Sequence, residues 1–207
     1  MLDQAVGSWL DDLASSAPAP GGGAGAAMNA AVGASLVAMV CNLTIGKPRY
    51  AAHEELMTEA LAQATGLRDR ALRLVGEDAA AFGAVAAAYQ LPKGTQDEKA
   101  ARTQAIQAAL GEAAAVPLRI AATAAEITDV AGRILAGANV NVISDVGVAA
   151  ASARAAIEGA ALNVEVNLAA MNDEAARTAI GEELRRYAGS AAAADQIVAA
   201  VRERISR

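Results

Sequence analysis

Three ionisable side chains stand in almost uncharged surroundings, where a charge is costly unless it has a partner or a function. Asp145 is the only ionisable residue between Arg133 and Arg154, Asp78 precedes the apolar run AAAFGAV, and Lys47 is the first charge after Asp12. A carboxylate in a dry site can stabilise a cation or accept a proton, and a lysine can polarise a carbonyl group. These three residues are therefore the candidates for a catalytic role. Purely structural roles as a helix-start acid (Asp145) or a solvated helix end (Lys47) stay open.

A glycine-rich turn, APAPGGG, precedes the long uncharged stretch that ends near Lys47. Glycines at a helix start leave the backbone N–H groups and the positive end of the helix dipole accessible to a ligand. A tight connection without a ligand would have the same composition. Further polar residues interrupt the apolar stretches near both ends. They include Asn42 and Thr44 near one end, and Asn163 and Asn167 one helical turn apart near the other.

The elements that must position these residues are helices. Hydrophobic residues make up 55% of the 207 residues and aromatic residues only 2%, so alanine and aliphatic side chains must form the core. Alanine favours helix and lets helix axes approach closely. We predict one all-α domain over residues 1–207, a helical bundle with two buried uncharged central helices surrounded by amphipathic helices. Because a small monomer covers two such helices with difficulty, we expect a homodimer or larger homo-oligomer.

Local signals divide the chain into helices. Thr95 and Glu98 form a capping-box pattern, and LPKGT predicts a loop before it. Ser144 is the expected N-cap of the second uncharged helix. The first predicted helix covers residues 3–14, and an uncharged helix then runs from the glycines to a break at Pro48. A third helix begins at residue 51 and ends at 75 or as late as 89, and a fourth follows Thr95. The remaining predicted helices are 116–135, with Pro117 in its first turn, 144–171, and a last helical region from Asn172.

Charge and rare residues exclude several classes of protein. The net charge of −6 and the absence of a basic run argue against nucleic-acid binding. Cys41 is the only cysteine, which predicts a small buried side chain in a reduced, cytoplasmic protein. His53 has no nearby His or Cys, so we expect no metal. The uncharged stretch is long enough to span a membrane, but it is poor in Leu, Ile and Phe, and we predict a helix buried by other helices.

Several segments, in this order and at this spacing, together resemble the cyclodeaminase/cyclohydrolase family of folate enzymes. They are SSAPAPGGG, MVCNLTIGKPRY, LPKGTQDEKAAR, NVNVISDVGVA and ALNVEVN. The resemblance is closest to stand-alone methenyltetrahydrofolate cyclohydrolases. It implies an all-helical, dimer-forming fold without metal or nucleotide, and hydrolysis of 5,10-methenyltetrahydrofolate to 10-formyltetrahydrofolate. Ring closure of formiminotetrahydrofolate with release of ammonia, or a non-catalytic helical oligomer, are the alternatives.

The same resemblance implies the site residues and their roles. The substrate-binding residues that it implies are Pro20, Gly21, Gly22, Gly23, Asn42, Thr44, Tyr50, Asn139, Asn141, Ser144, Asn163 and Asn167. Asp145, with Asp78 as the second candidate, would stabilise the methenyl cation and take a proton from water. Lys47 would polarise a folate carbonyl, stabilise an oxyanion or bind the glutamate tail. The glycine turn would let the pterin or the tail approach the backbone, and the asparagines would read the amide edge of the pterin.

Overall fold

The computed structural model describes residues 4–207, which form six α-helices and two short 3-10 helices without any strand. This confirms the predicted all-α bundle. The α-helices are α1 (Val6–Leu13), α2 (Gly22–Asn42), α3 (Glu54–Tyr89), α4 (Gln96–Ile134), α5 (Ile143–Ala170) and α6 (Glu174–Ile205), and the 3-10 helices are Pro48–His53 and Val140–Val142.

Helix α2, which has no charged residue, and α5, which has four, run antiparallel through the centre of the bundle. Helix α3 packs beside α2 and α6 beside α5, while α4 contacts all four of these helices from behind. Small residues allow the central pair to approach closely: a Cβ on Gly33 would lie 3.0 Å from the carbonyl oxygen of Ala149, and one on Gly159 would lie 3.2 Å from the Cβ of Ala26. The alanine and glycine content therefore sets the interaxial distance.

Helices α2 and α5 each leave a strip of uncharged side chains exposed, and on α5 the exposed Glu158 borders this strip. We call this surface the α2–α5 face. Leu162 is 67% exposed and Val148 51% exposed, although an apolar side chain gains free energy from burial. The face consists of Asn29, Val32, Ser35, Met39, Val148, Ala155 and Leu162.

Helix α4 is continuous where the sequence predicts two helices. Pro117 lies inside it rather than in a first turn. Proline lacks the N–H that would bond to the carbonyl of Ala113, four residues earlier. The side-chain Nδ2 of Asn167 on α5 donates to this carbonyl at 2.8 Å and replaces the missing donor. A contact from another helix therefore makes the proline tolerable.

Most other boundaries agree with the sequence, and three differ. Both halves of the Thr95–Glu98 capping box are present, and α3 extends to Tyr89. Helix α2 ends at Asn42 rather than near Pro48, and Gly46 turns the chain beyond this end with a φ of 75°. Ser144 lies within the first turn of α5 and caps nothing, and Asp173 rather than Asn172 caps α6.

The first helix and the following turn also differ in detail. Trp9 is the buried residue of α1, whereas Val6 and Leu10 are exposed. Asp3, which the prediction included in this helix, lies outside the described residues. The segment after α1 is bent rather than extended, with a cis Ala19–Pro20 peptide.

Three segments are long and apolar enough to cross a membrane by length and composition alone, namely Gly22–Asn42, Gln96–Ile134 and Val140–Ala170. In this fold they pack against one another. The most apolar window of each of the first two is 61% buried within the bundle.

Candidate active site

A cavity of about 260 Å³ opens where the start of α2 meets α3, α4 and α5. We call it the glycine cleft. It brings together the glycine turn, Asp78 and both asparagines of α5, residues that are widely separated along the chain. Its lining residues are Pro18, Ala19, Gly21, Gly22, Gly23, Asp78, Ala81, Phe82, Val85, Ala113, Asn163, Val166 and Asn167. Pro20 adjoins the lining residues without being one of them.

Asp78 lies directly against the first turn of α2. Burial raises the pKa of its carboxyl group, and a backbone hydrogen bond from Ala24 offsets part of this increase. A Cβ on Gly23 would overlap Oδ1 of Asp78 and lie 2.5 Å from its Cγ. Gly23 is therefore required by the close approach of the carboxylate. The start of α2 therefore contacts the carboxylate of Asp78, and the raised pKa of this group suits it to proton transfer.

The reason for glycine differs along the turn. Gly22 begins the helix with an ordinary backbone conformation, since Gly46 is the only residue with positive φ in the described part of the chain. A Cβ on Gly22 would lie 3.4 Å from Nδ2 of Asn163, which is an ordinary contact. The steric requirement at this turn is thus concentrated at Gly23.

Asn163 and Asn167 lie one helical turn apart and both line the cleft. Asn163 donates from Nδ2 to the carbonyl of Gly159 at 2.8 Å. Asn167 donates from Nδ2 to the carbonyls of Ala113 at 2.8 Å and Asn163 at 2.7 Å. These bonds hold both amide groups in fixed orientations.

Apolar side chains form the remaining wall of the cleft, and sequence reasoning did not select them. Phe82 is 47% exposed and Val166 is 65% exposed. Phe82 lies four residues after Asp78, and Val166 three residues after Asn163, so each shares a helix face with a polar candidate. That spacing is the signal that could have identified them. A flat ring could stack on Phe82 in this position.

The other predicted site residues gather at the opposite end of α2, and we call them the far-end group. Because α2 has 21 residues, this end lies about 30 Å from the glycine cleft. The group contains Asn42, Thr44, Lys47, Tyr50, Asn139, Asn141, Ser144 and Asp145. Within a single chain, the predicted site residues therefore form two separate groups, the glycine cleft and the far-end group.

Within the far-end group, Thr44, Tyr50 and Asn139 bond mainly to the protein itself. The Thr44 hydroxyl donates to the carbonyl of Val40 at 2.7 Å and accepts from the backbone N–H of Asn139 at 3.1 Å. Nδ2 of Asn139 donates to the carbonyl of Leu43 at 2.8 Å, and its Oδ1 accepts from the Tyr50 hydroxyl at 3.3 Å. Thr44 and Asn139 are each only 2% exposed. This network joins the end of α2 to the start of α5.

The remaining members of the far-end group face outward. Asn42, Lys47, Asn141 and Ser144 are exposed and Asp145 is half-buried. Among residues 4–207, the side chains of Lys47 and Asp145 make no hydrogen bond or ion pair. Their catalytic roles stay predictions.

Cys41 and His53 occupy structural positions. Cys41 is fully buried, as predicted, and burial raises the pKa of its thiol to about 11, which keeps it protonated. His53 packs against Gly137, where a Cβ would lie 2.5 Å from the imidazole Cγ. In the described part of the chain, no group of three His, Cys, Asp or Glu side chains is placed to hold a metal ion.

Two known proteins are similar to most of this chain. The chain is 47% identical to a methenyltetrahydrofolate cyclohydrolase of Methylorubrum extorquens, over 84% of this chain and 83% of that protein. It is 33% identical to the formimidoyltransferase-cyclodeaminase of Rattus norvegicus over 84% of this chain, but spans only 32% of that longer protein.

The fold also matches a solved structure. A crystal structure of formiminotetrahydrofolate cyclodeaminase from Thermotoga maritima superposes with a TM-score of 0.88 and 27% identity, covering 100% of this chain and 99% of that one. The sequence profile of the family described as formiminotransferase-cyclodeaminase matches residues 5–186, which include the glycine cleft and the far-end group. The chain therefore belongs to the formiminotransferase-cyclodeaminase family.

Proposed function

We propose that this protein is a methenyltetrahydrofolate cyclohydrolase, which hydrolyses 5,10-methenyltetrahydrofolate to 10-formyltetrahydrofolate. The observation that carries the proposal is the 47% identity to a cyclohydrolase of similar length, against 33% and 27% to two cyclodeaminases. The glycine cleft supports it because it places a carboxylate with a raised pKa beside apolar walls.

The reaction requires both a base and an acid. The substrate is a cation whose charge is shared by N5, N10 and the bridging carbon. Water adds to that carbon and loses one proton, giving a neutral tetrahedral adduct. The bond from carbon to N5 then breaks, N5 gains a proton, and the hydroxyl proton is released as the formyl group forms on N10. One proton is released overall.

Asp78 is the group we assign to these proton transfers. As an anion it stabilises the cationic substrate and takes the proton from the attacking water, and as a neutral acid it returns that proton to N5. Its raised pKa brings the two forms closer in free energy at neutral pH than they are for an exposed aspartate. Our sequence-based first choice, Asp145, lies at the other end of α2 and does not reach this cleft within one chain.

A homodimer would unite the two parts of the site. The α2–α5 face is uncharged and exposed, and Val32 lies at the middle of α2. A two-fold axis near Val32 would pair two copies of α2 antiparallel and set the far-end group of one chain beside the glycine cleft of the other. Lys47 and Asp145 would then act on substrate in the partner subunit's cleft. We propose this arrangement as the assembly of the active enzyme.

The test is turnover by the purified protein at a pH where uncatalysed hydrolysis is slow. Loss of the methenyl chromophore is followed with methenyltetrahydrofolate, and ammonia release is assayed separately with formiminotetrahydrofolate. We expect rapid chromophore loss, little ammonia, and an unchanged rate in the presence of a strong chelator. Release of ammonia without faster hydrolysis of methenyltetrahydrofolate would instead identify the protein as a formiminotetrahydrofolate cyclodeaminase.

The second candidate function is formiminotetrahydrofolate cyclodeamination. It is favoured by the close structural match to the Thermotoga maritima protein along the whole chain. The two reactions share the methenyl cation as product or substrate, so one cleft suits either. Only the comparison of the two rates separates them.

A further inference from the structure

The polar side chains of the glycine cleft present oxygen atoms to a ligand. Both hydrogens of the Asn167 amide are used, one by the carbonyl of Ala113 and one by that of Asn163. The Asn163 amide donates one hydrogen to the carbonyl of Gly159 and keeps its second hydrogen and its oxygen available to a ligand. Rotating either amide by half a turn would place its oxygen against a carbonyl oxygen, which is unfavourable. The orientations are therefore set by the fold before any ligand binds.

The third side chain with acceptor oxygens in the cleft is Asp78. Its carboxylate accepts a hydrogen bond from the backbone N–H of Ala24 at the start of α2. An empty helix N-terminus attracts anions, but here an internal carboxylate already lies against it. The lining contains no lysine, arginine or histidine among the described residues. A ligand group that carries carboxylates would meet like charge and amide oxygens, whereas a group rich in N–H donors would be satisfied.

We propose that the glycine cleft holds the pterin ring of the folate, and that Asn163 and Asn167 accept hydrogen bonds from its neighbouring donors, the ring N3–H and the 2-amino group. This inference rests on the proposed function. The apolar ring of Phe82 supports the flat pterin, and Asp78 is left for the bridging carbon and N5. The glutamate tail, with its two carboxylates, extends out of the cleft.

The experiment compares two ligands that differ only at the group being recognised. Dissociation constants are measured for tetrahydrofolate and for its analogue with a 2-methyl in place of the 2-amino group. We expect the parent protein to bind the analogue at least about tenfold more weakly, because the cleft oxygens lose their donor. A parent that binds both ligands equally would overturn the placement of the pterin, whether or not any variant folds.

The variant Asn163→Ser identifies the residue responsible. A serine hydroxyl can keep donating to the carbonyl of Gly159, as the Thr65 hydroxyl does to that of Leu61 on α3, but the amide oxygen is lost. We expect the variant to bind the two ligands within about twofold of each other. Asn172→Ser, outside the cleft, is the control and should keep the parental discrimination. Unchanged discrimination in a folded Asn163→Ser protein would contradict the assignment.

The outcomes also separate this inference from the proposed function. A parent protein that neither binds tetrahydrofolate nor turns over methenyltetrahydrofolate would remove both. A parent that hydrolyses methenyltetrahydrofolate but ignores the 2-amino group would leave the cyclohydrolase function in place and overturn only the pterin orientation.

Discussion

At the scale of single residues, Gly23 and Asp78 define the glycine cleft together. The carboxylate approaches the α2 backbone so closely that a side chain at position 23 would have to displace it. Gly22, one residue earlier, meets only an ordinary contact with Asn163. Two neighbouring glycines in one motif therefore serve different purposes, and substitutions at them should separate these purposes.

We predict that Gly23→Ala lowers kcat/KM by about a hundredfold, because its methyl group must displace the Asp78 carboxylate by about an ångström. Overpacking should also cost about 1–3 kcal/mol of stability. Gly22→Ala is the matched control and should retain most of the activity. Steady-state kinetics and thermal melting measure both effects. Equal activity in the two variants would show that the position of Asp78 does not matter.

A second residue-scale prediction concerns pH. If Asp78 acts as a base, kcat should fall on acidification through a pKa above the ordinary value of about 3.9. Asp78→Asn should lower kcat by about 10²–10⁴-fold and lose this acid limb. The kcat–pH profiles of the parent and the variant provide the measurement. An acid limb that persists unchanged in Asp78→Asn would assign it to another group.

Stability gives an independent check on the same carboxyl group. Because burial raises its folded-state pKa, the folded protein binds the proton more tightly than the unfolded chain, and the resulting stabilisation is lost as the pH rises through that pKa. Asp78→Asn cannot titrate. Its melting temperature relative to the parent should therefore rise between acidic and neutral pH, and a difference independent of pH would argue against a raised pKa.

At the scale of elements, Pro117 and Asn167 explain how α4 remains unbroken beside the cleft. The proline leaves the carbonyl of Ala113 without its helical donor, and Asn167 provides one from α5. The same bond orients the Asn167 amide. One hydrogen bond therefore both compensates for Pro117 in α4 and orients Asn167 in the cleft.

We predict that Asn167→Leu destabilises the protein by about 1–3 kcal/mol, because it leaves the Ala113 carbonyl unpaired. Pro117→Ala restores the helical N–H, so Asn167→Leu should cost less in that background, with a coupling of about 1 kcal/mol or more. Denaturant unfolding of the four proteins in the cycle measures this. Strict additivity of the two substitutions would disprove the compensation.

At the scale of the whole molecule, the two parts of the candidate site lie about 30 Å apart along α2, and the surface between them is the uncharged α2–α5 face. Each chain carries one glycine cleft and one far-end group. A two-fold pairing through this face would form two complete sites from two incomplete chains.

We predict a dimer in solution by light scattering, and complementation between inactive variants. Asp78→Asn and Asp145→Asn alter opposite parts of the site, so a mixed dimer contains one doubly altered site and one unaltered site. After unfolding and refolding together, an equal mixture should regain about a quarter of parental activity. Lys47→Met paired with Asp78→Asn is the parallel test. A monomeric active enzyme, or mixtures no more active than their components, would refute the shared site.

Local features of the sequence determined much of the fold. The Thr95–Glu98 capping box, the loop after Tyr89 and the alanine-rich composition act through neighbouring residues or through overall packing, and the structure agrees with each. The glycine turn, Asp78 and the asparagines of α5 were also recognisable as polar interruptions of apolar segments. None of this required knowing which helices touch.

Only the tertiary structure decided which of these residues meet. Asp78 reaches Gly23, and Asn167 reaches the carbonyl that Pro117 leaves free, because particular faces of α2, α3, α4 and α5 pack together. Likewise, Thr44 and Asn139 bond to each other rather than remaining open, whereas Lys47 and Asp145 stay at the far end of α2. Such contacts depend on the crossing of helices that are distant in the chain, and hydrophobic periodicity carries no information about that crossing.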